Sequence, residues 1–78
     1  MWVAEMDAAM HFIDECVEPD PFSQTHVKDL VAAYRHWASV VGAPDMGHRA
    51  LSLYMYMKGF KKMRERNGRT FWVGVRLK

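Results

Sequence analysis

Apolar residues recur at helical spacing over most of this chain and alternate with polar residues near its end. Steps of three and four residues predict helices over residues 3–17, 26–41 and 46–58. The apolar stripe of the first helix comprises Met6, Ala9, Met10, Ile13, Cys16 and Val17. The stripe of the second, the clearest in the chain, comprises Val27, Leu30, Val31, Tyr34, Trp37, Ala38 and Val41. Each stripe predicts one buried face.

The third helix has a less regular pattern. Leu51 and Met55 are four residues apart, so they share one side of the helix and are expected to be buried. Its remaining faces carry four more large side chains: Leu53, Tyr54, Tyr56 and Met57. The pattern therefore predicts a helix that is partly apolar on its exposed side.

Turn-forming residues separate the predicted elements. Two prolines in residues 18–21 (EPDP) end the first helix, because proline disfavours helix in the residue before it. Thr25 is the expected N-cap of the second helix and Gly42 its end, and Asp45 and Gly59 bound the third. We expect tight connections between the helices.

The end of the chain has the pattern of a β-hairpin. Residues 60–66 and 69–77 are the expected strands, and residues 22–24 a short edge strand. Asn67-Gly68 predicts a type I′ turn, which requires positive φ at both positions. The apolar face of the last strand comprises Phe71, Val73, Val75 and Leu77. Trp72 lies on the opposite face, where packing on a neighbouring side chain is favoured over stacking on a base.

The order of these elements is typical of one fold. A helix, a short strand, two helices joined by a tight turn and a C-terminal β-hairpin form the α+β winged helix. The second and third helices are its helix-turn-helix, and the hairpin is its wing. Seventy-eight residues suffice for a single domain, which we expect to span residues 1–78.

Charge is distributed unevenly along the chain. Residues 58–78 contain eight Lys and Arg and one acid, or 8 − 1 = +7, whereas the rest has 3 − 8 = −5. Residues 1–22 contain six acids and no Lys or Arg. An asymmetry of this kind indicates a nucleic-acid partner more strongly than the net charge of +2 does.

Four segments resemble a known family. They are residues 12–18 (FIDECVE), 30–38 (LVAAYRHWA), 49–55 (RALSLYM) with 59–60 (GF), and 69–78 (RTFWVGVRLK). Together they are similar to the C-terminal winged-helix domain of phage and plasmid, poxvirus-type, primase-helicases. The resemblance covers nearly the whole chain and implies DNA binding in phage or plasmid replication or a related regulatory role. Most of the matching positions are packing positions, so they indicate the fold more strongly than the function.

The chain departs from that family in two ways. The family's third helix is usually charged outside its core stripe, whereas this one carries Leu53, Tyr54, Tyr56 and Met57. No G-x-x-x-x-G-K-[ST] phosphate-binding loop occurs, so we expect an excised domain or a small stand-alone protein.

DNA binding would use the third helix and the wing, with duplex DNA the favoured partner. Arg49 is the candidate for a base contact, because a guanidinium can bind guanine through two hydrogen bonds. Wing cations would contact phosphates, which gives affinity without sequence choice. The expected DNA-binding residues are His48, Arg49, Ser52, Tyr56, Lys58, Lys61, Lys62, Arg64, Arg66 and Arg69.

The alternative is a protein-interaction module. Exposed Leu53, Tyr54 and Met57 would form an apolar patch for a homodimer or for a replication or transcription partner. A wing folded back over Tyr54 and Met57 would remove that patch.

Other functions find little support. The four histidines lack metal-ligand spacing, and nothing pairs a nucleophile with a base, so we predict no enzyme, metal or cofactor. No apolar run approaches the ~20 residues of a membrane span, and the N-terminus lacks signal-peptide features. With one cysteine, Cys16, this favours the cytoplasm of a bacterial or phage-infected cell.

Overall fold

Three helices and three strands make up the computed structural model, which describes residues 4–78. They are α1 (Glu5–Cys16), β1 (Val17–His26), α2 (Val27–Val41), α3 (His48–Met57), β2 (Lys61–Arg64) and β3 (Thr70–Leu77). Residue 3, the predicted start of the first helix, lies outside the described residues. The strands form one antiparallel sheet in the order β1-β3-β2, so the fold is α+β.

The core is built from the apolar sides of the three helices, two positions of β3, Val17 of β1 and Met46 before α3. Phe12, Tyr34 and Trp37 form an aromatic cluster, with ring centroids 5.2 to 5.8 Å apart. Tyr34 Oη donates to the carbonyl of Pro44 (2.6 Å) and Trp37 Nε1 donates to Glu15 Oε2 (2.8 Å), so their polar atoms are paired. The remaining buried apolar residues are Ala8, Ala9, Ile13, Val17, Leu30, Ala38, Met46, Leu51, Met55, Trp72 and Val75. The predicted stripes are therefore largely confirmed, although Met6 and Val41 are exposed.

The first strand is longer than the sequence predicted. β1 has ten residues rather than three, and both of its ends pair with β3. Between Pro19 and Gln24 the register shifts, and residues 20–23 form a bulge opposite Gly74. Prolines lack an N–H donor, so Pro19 and Pro21 are tolerated on an edge strand with such a bulge. The prolines expected to end α1 therefore lie inside an irregular strand that already begins at Val17, and not in a loop.

Gly74 changes which face of β3 is buried. It has φ +71°, in the left-handed region that favours glycine. Trp72 and Val75, three residues apart, are both fully buried, so strict alternation does not hold. The predicted apolar face is correct at Val75 but wrong at Val73, which is 37% exposed.

Two predicted helix caps are wrong. Thr25 is buried and donates from Oγ1 to the carbonyl of Val75 (2.8 Å), while His26 caps α2 through Nδ1, which accepts from Lys28 N–H (3.0 Å). Gly47, not Asp45, precedes α3. Gly42 does take the left-handed position that ends α2, with φ +73°. Thr25 does not cap α2 because its side chain is buried and bonded to β3, and Asp45 Oδ1 accepts from Met46 N–H (2.9 Å), before α3 begins at His48.

The hairpin turn also differs from its prediction. Gly68 alone has positive φ (+83°) within the turn; no described non-glycine residue does, which excludes a type I′ turn at Asn67-Gly68. Gly68 N–H donates to the carbonyl of Glu65 (3.0 Å), and Glu65 N–H to that of Arg69 (2.7 Å). This is the geometry of a three-residue loop with a glycine bulge. The strands are correspondingly shorter than predicted.

Candidate nucleic-acid interface

The basic segment, residues 58–78, divides into two parts with different surroundings. At one end Lys58 Nζ forms an ion pair with Asp14 Oδ1 (3.0 Å), and Arg76 pairs with Glu18. Lys78 Nζ donates to the carbonyl of Asp14 (3.2 Å). We call Lys58, Arg76 and Lys78 the paired end. The acidic N-terminal half of the chain reduces the charge there, and Lys58, an expected DNA contact, belongs to it.

The other five cations lie on β2 and in the hairpin turn. Lys61, Lys62, Arg64, Arg66 and Arg69 form no ion pair with any acid in residues 4–78. Glu65 is the one acid in residues 61–69, so this stretch carries 5 − 1 = +4. We call these five residues the free end. A concentration of positive charge on a short hairpin is a surface that attracts polyanions.

Lys62 fixes the free end to α3. Its Nζ donates to Ser52 Oγ (3.2 Å) and lies 5.6 Å from the ring centroid of Tyr56 and 5.2 Å from that of Trp72. The Tyr56 ring itself meets Trp72 edge to face, with centroids 5.1 Å apart. Cation–π contacts of this kind are worth about 0.5–2 kcal/mol each, depending on exposure. Lys62 is therefore half-buried and positioned by its neighbours, unlike its exposed neighbour Lys61.

The structure brings the predicted residues of α3 together around one groove. His48, Arg49, Ser52, Tyr56 and Lys62 line it, together with Leu53, and it encloses about 450 Å³. His48 and Arg49 are exposed at the start of the helix. Ser52 is 6% exposed and already accepts from Lys62, so it supports that lysine and does not face solvent.

Sequence reasoning missed a second, larger cleft between α2 and the hairpin turn. It measures about 680 Å³ and joins the α3 groove, because His48 and Lys62 line both. Its other cationic side chains are Lys28 and Arg35 of α2 and Arg69 of the turn. Lys28 and Arg35 are seven residues apart, two helical turns, so their spacing was a signal that both lie on one side of α2.

The proposed apolar patch is smaller than the sequence predicted. Leu53 and Met57 are 56% and 58% exposed, but Tyr54 is half-buried and packs on the core. Its Oη donates to Glu5 Oε1 (3.1 Å) of α1. Tyr54 thus connects two helices of the same chain.

Cys16 lies near the paired end and is partly buried. Burial and the nearby Glu15 raise the pKa of its thiol, while Lys78 lowers it. The raised pKa keeps the thiol protonated at neutral pH, which makes it a poor nucleophile.

Two features are absent from the part of the chain that the structure describes, residues 4–78. These residues contain no group of three or more His, Cys, Asp or Glu side chains placed to hold a metal ion. No helix among them is long and apolar enough to cross a membrane.

Comparisons with protein-family models, curated protein sequences and solved structures found no match to this chain. The geometry of its own residues is therefore the basis for assigning a function.

Proposed function

We propose that the chain is a non-enzymatic, DNA-binding winged helix, in which α2 and α3 form the helix-turn-helix and β2–β3 the wing. The observation that carries the proposal is the free end: five cations that pair with no acid in residues 4–78, one of which, Lys62, lines a groove with His48 and Arg49 at the start of α3. Its place in phage or plasmid replication or regulation rests on the family resemblance alone.

The wing would supply most of the affinity. Lys61, Arg64 and Arg66 are exposed, and each phosphate that a cation neutralises releases counterions from the DNA. Lys62 holds the wing against α3 through Ser52, Tyr56 and Trp72, so wing and helix would approach DNA as one rigid surface.

The first turn of α3 would supply base contacts. Arg49 is exposed there, and the helix has ten residues, about 15 Å, which fits within a major groove. Further along, Leu53 and Tyr56 offer apolar surface, which suits contact with thymine methyl groups. Duplex DNA is therefore the favoured partner for this face.

Two matched double variants test the wing. Lys61→Gln with Arg64→Gln removes one lysine and one arginine from the free end; Arg76→Gln with Lys78→Gln removes the same pair of residue types from the paired end. The first should weaken duplex binding and make the slope of log K against log salt shallower by about two, one for each lost phosphate contact. Titrations by fluorescence anisotropy at several salt concentrations measure both quantities.

The paired-end variant should bind nearly as the wild type does, because its cations already contact acidic residues or the backbone. Equal losses in the two double variants would mean that only net charge matters, and would contradict a DNA-binding wing.

Arg49→Ala addresses base contacts separately. It should narrow the affinity difference between preferred and non-preferred duplexes, by about 1–3 kcal/mol if Arg49 contacts a guanine. An equal loss of affinity for all duplexes would instead show that Arg49 contacts a phosphate and not a base.

The exposed Leu53 and Met57 favour a second proposal, self-association through α3. Sedimentation over a range of concentrations should then show a mass increase that Leu53→Ser with Met57→Ser abolishes. Val40→Ser, at a position on α2 that is 72% exposed, is the control. A constant monomer mass at all concentrations rejects the homodimer, and high salt should not dissociate one that is apolar.

A further inference from the structure

The cleft between α2 and the hairpin turn combines positive charge with an apolar wall. Lys28 and Arg35 project from α2 two helical turns apart, and Lys62 and Arg69 come from the hairpin. None of the described residues that line it is an acid. Arg35 Nε lies 3.9 Å from Asp45 Oδ1, but both side chains are largely exposed, so solvent screens that pair.

Folding brings these cations together against their mutual repulsion. They belong to separate parts of the sequence, and Lys28 and Arg69 are 41 positions apart (69 − 28). Like charges gathered around one concave surface raise the local potential and favour an anion within it. The natural ligand of such a cleft is therefore a negatively charged group.

The apolar wall defines the rest of the ligand. Val27, Val31 and Ala32 line the α2 side of the cleft. At about 680 Å³ the cleft is in the size range of small-molecule sites and exceeds what a lone phosphate would fill. A sugar and base attached to the phosphate would cover the aliphatic side chains.

The hairpin turn adds neutral hydrogen-bonding groups opposite that wall. Asn67 Oδ1 already accepts from Arg69 N–H (3.0 Å), which leaves its amide group as a donor. Thr70 contributes a hydroxyl beside it. These groups suit the polar edge of a base or sugar.

We propose that this cleft binds one nucleoside phosphate, with the phosphate among Lys28, Arg35 and Arg69 and the nucleoside against Val27 and Val31. The site shares Lys62 and Arg69 with the free end, but Lys28 and Arg35 of α2 belong to the cleft alone, so substitutions at these two residues test it separately from the duplex contact of the wing. The nucleotide is either free in solution or the end of a single strand, because a base that is paired and stacked in a duplex is not available to cover Val27 and Val31.

Backbone amide shifts on titration with dAMP, adenosine and inorganic phosphate test the ligand chemistry. dAMP should shift the amides of residues 27–35 and 67–70, and the two partial ligands should shift them much less. No shift in these residues with dAMP or with a single-stranded oligonucleotide overturns the proposal. An equal response to inorganic phosphate overturns the nucleotide assignment.

A comparison of two oligonucleotides with free dAMP distinguishes a strand end from a free nucleotide as the ligand. A short single strand carrying a 5′-phosphate is compared with the same strand ending in a 5′-hydroxyl and with free dAMP. Tighter binding of the phosphorylated strand than of both the 5′-hydroxyl strand and dAMP supports a strand end as the ligand. Tighter binding of dAMP supports a free nucleotide.

Lys28→Gln with Arg35→Gln should raise the Kd for the bound nucleotide about tenfold or more, since two charge-assisted contacts are lost. It leaves Lys61, Arg64 and Arg49 intact, so duplex affinity reports independently on the proposed function. The matched control is again Arg76→Gln with Lys78→Gln. A loss of the same size in that control contradicts the site.

Discussion

The free end and the paired end of the basic segment carry the same residue types but differ in what surrounds them. Lys58, Arg76 and Lys78 meet Asp14 and Glu18 of the acidic half. The five cations of the free end form no ion pair with any acid in residues 4–78. A charge of +7 along the sequence is therefore not a charge of +7 on one surface, because the fold places some of these cations against acidic side chains.

β3 connects the two ends, because it pairs with β2 of the free end and carries Arg76 of the paired end. The largest effect is therefore expected from its buried side chain, Trp72. Trp72→Ala should lower the free energy of unfolding by about 3–5 kcal/mol, a large part of the stability of a domain of this size. Phe71→Ala is the matched control, because Phe71 is only half-buried and should cost distinctly less. Urea unfolding measures both. A larger loss for Phe71→Ala would contradict the buried face of β3 and restore the simple alternation.

A smaller effect is expected from the lysine that joins the free end to α3. Lys62→Met keeps the aliphatic part of the side chain but removes the charge that lies near the rings of Tyr56 and Trp72. It should lower the free energy of unfolding by about 0.5–1 kcal/mol. Lys61→Met, at the exposed neighbouring position, should cost nothing measurable. Equal stability of the two variants would mean that Lys62 is an ordinary surface cation, and would remove its positioning role.

The smallest effect is expected at the paired end. Lys78 lowers the raised pKa of the Cys16 thiol, so Lys78→Gln should raise it further and slow alkylation by iodoacetamide near neutral pH. Lys61→Gln, on the free end, should leave the rate unchanged. Pseudo-first-order rates at several pH values measure the shift. Faster alkylation in Lys78→Gln would show that the side chain shields the thiol sterically and does not act through its charge.

The positions of the helices were more predictable from the sequence than the pairing of the strands. Helical periodicity located all three helices, since it depends on residues three and four apart, and Leu51 and Met55 are buried as expected. The pairing of β1 with both halves of β3 was not predictable, because its prolines are typical of a loop. The left-handed Gly74 that reverses the buried face also leaves no local sequence pattern.

The candidate site was predictable in its residue types but not in its geometry. Arg49 and the free end were identified from charge. The ion pair that neutralises Lys58 could not be, because it joins Lys58 to Asp14, 44 positions away in the sequence. The cleft requires α2 and the hairpin turn to lie side by side. The spacing of Lys28 and Arg35 places both on one side of α2, but it does not predict that the hairpin turn lies opposite them.

Three helices, a C-terminal hairpin and a separation of acidic from basic halves could all be predicted from the sequence, because each depends on composition or on spacing within a few residues. The pairing of cations with acids within residues 4–78, the face of β3 that holds Trp72 and the cationic cleft between α2 and the hairpin became visible only in the folded chain. The two sets of features differ in the range of the interactions that produce them. Backbone periodicity acts between near neighbours, whereas burial and charge pairing depend on what the folded chain brings close from distant positions, as between Thr25 and Val75, which are 50 apart.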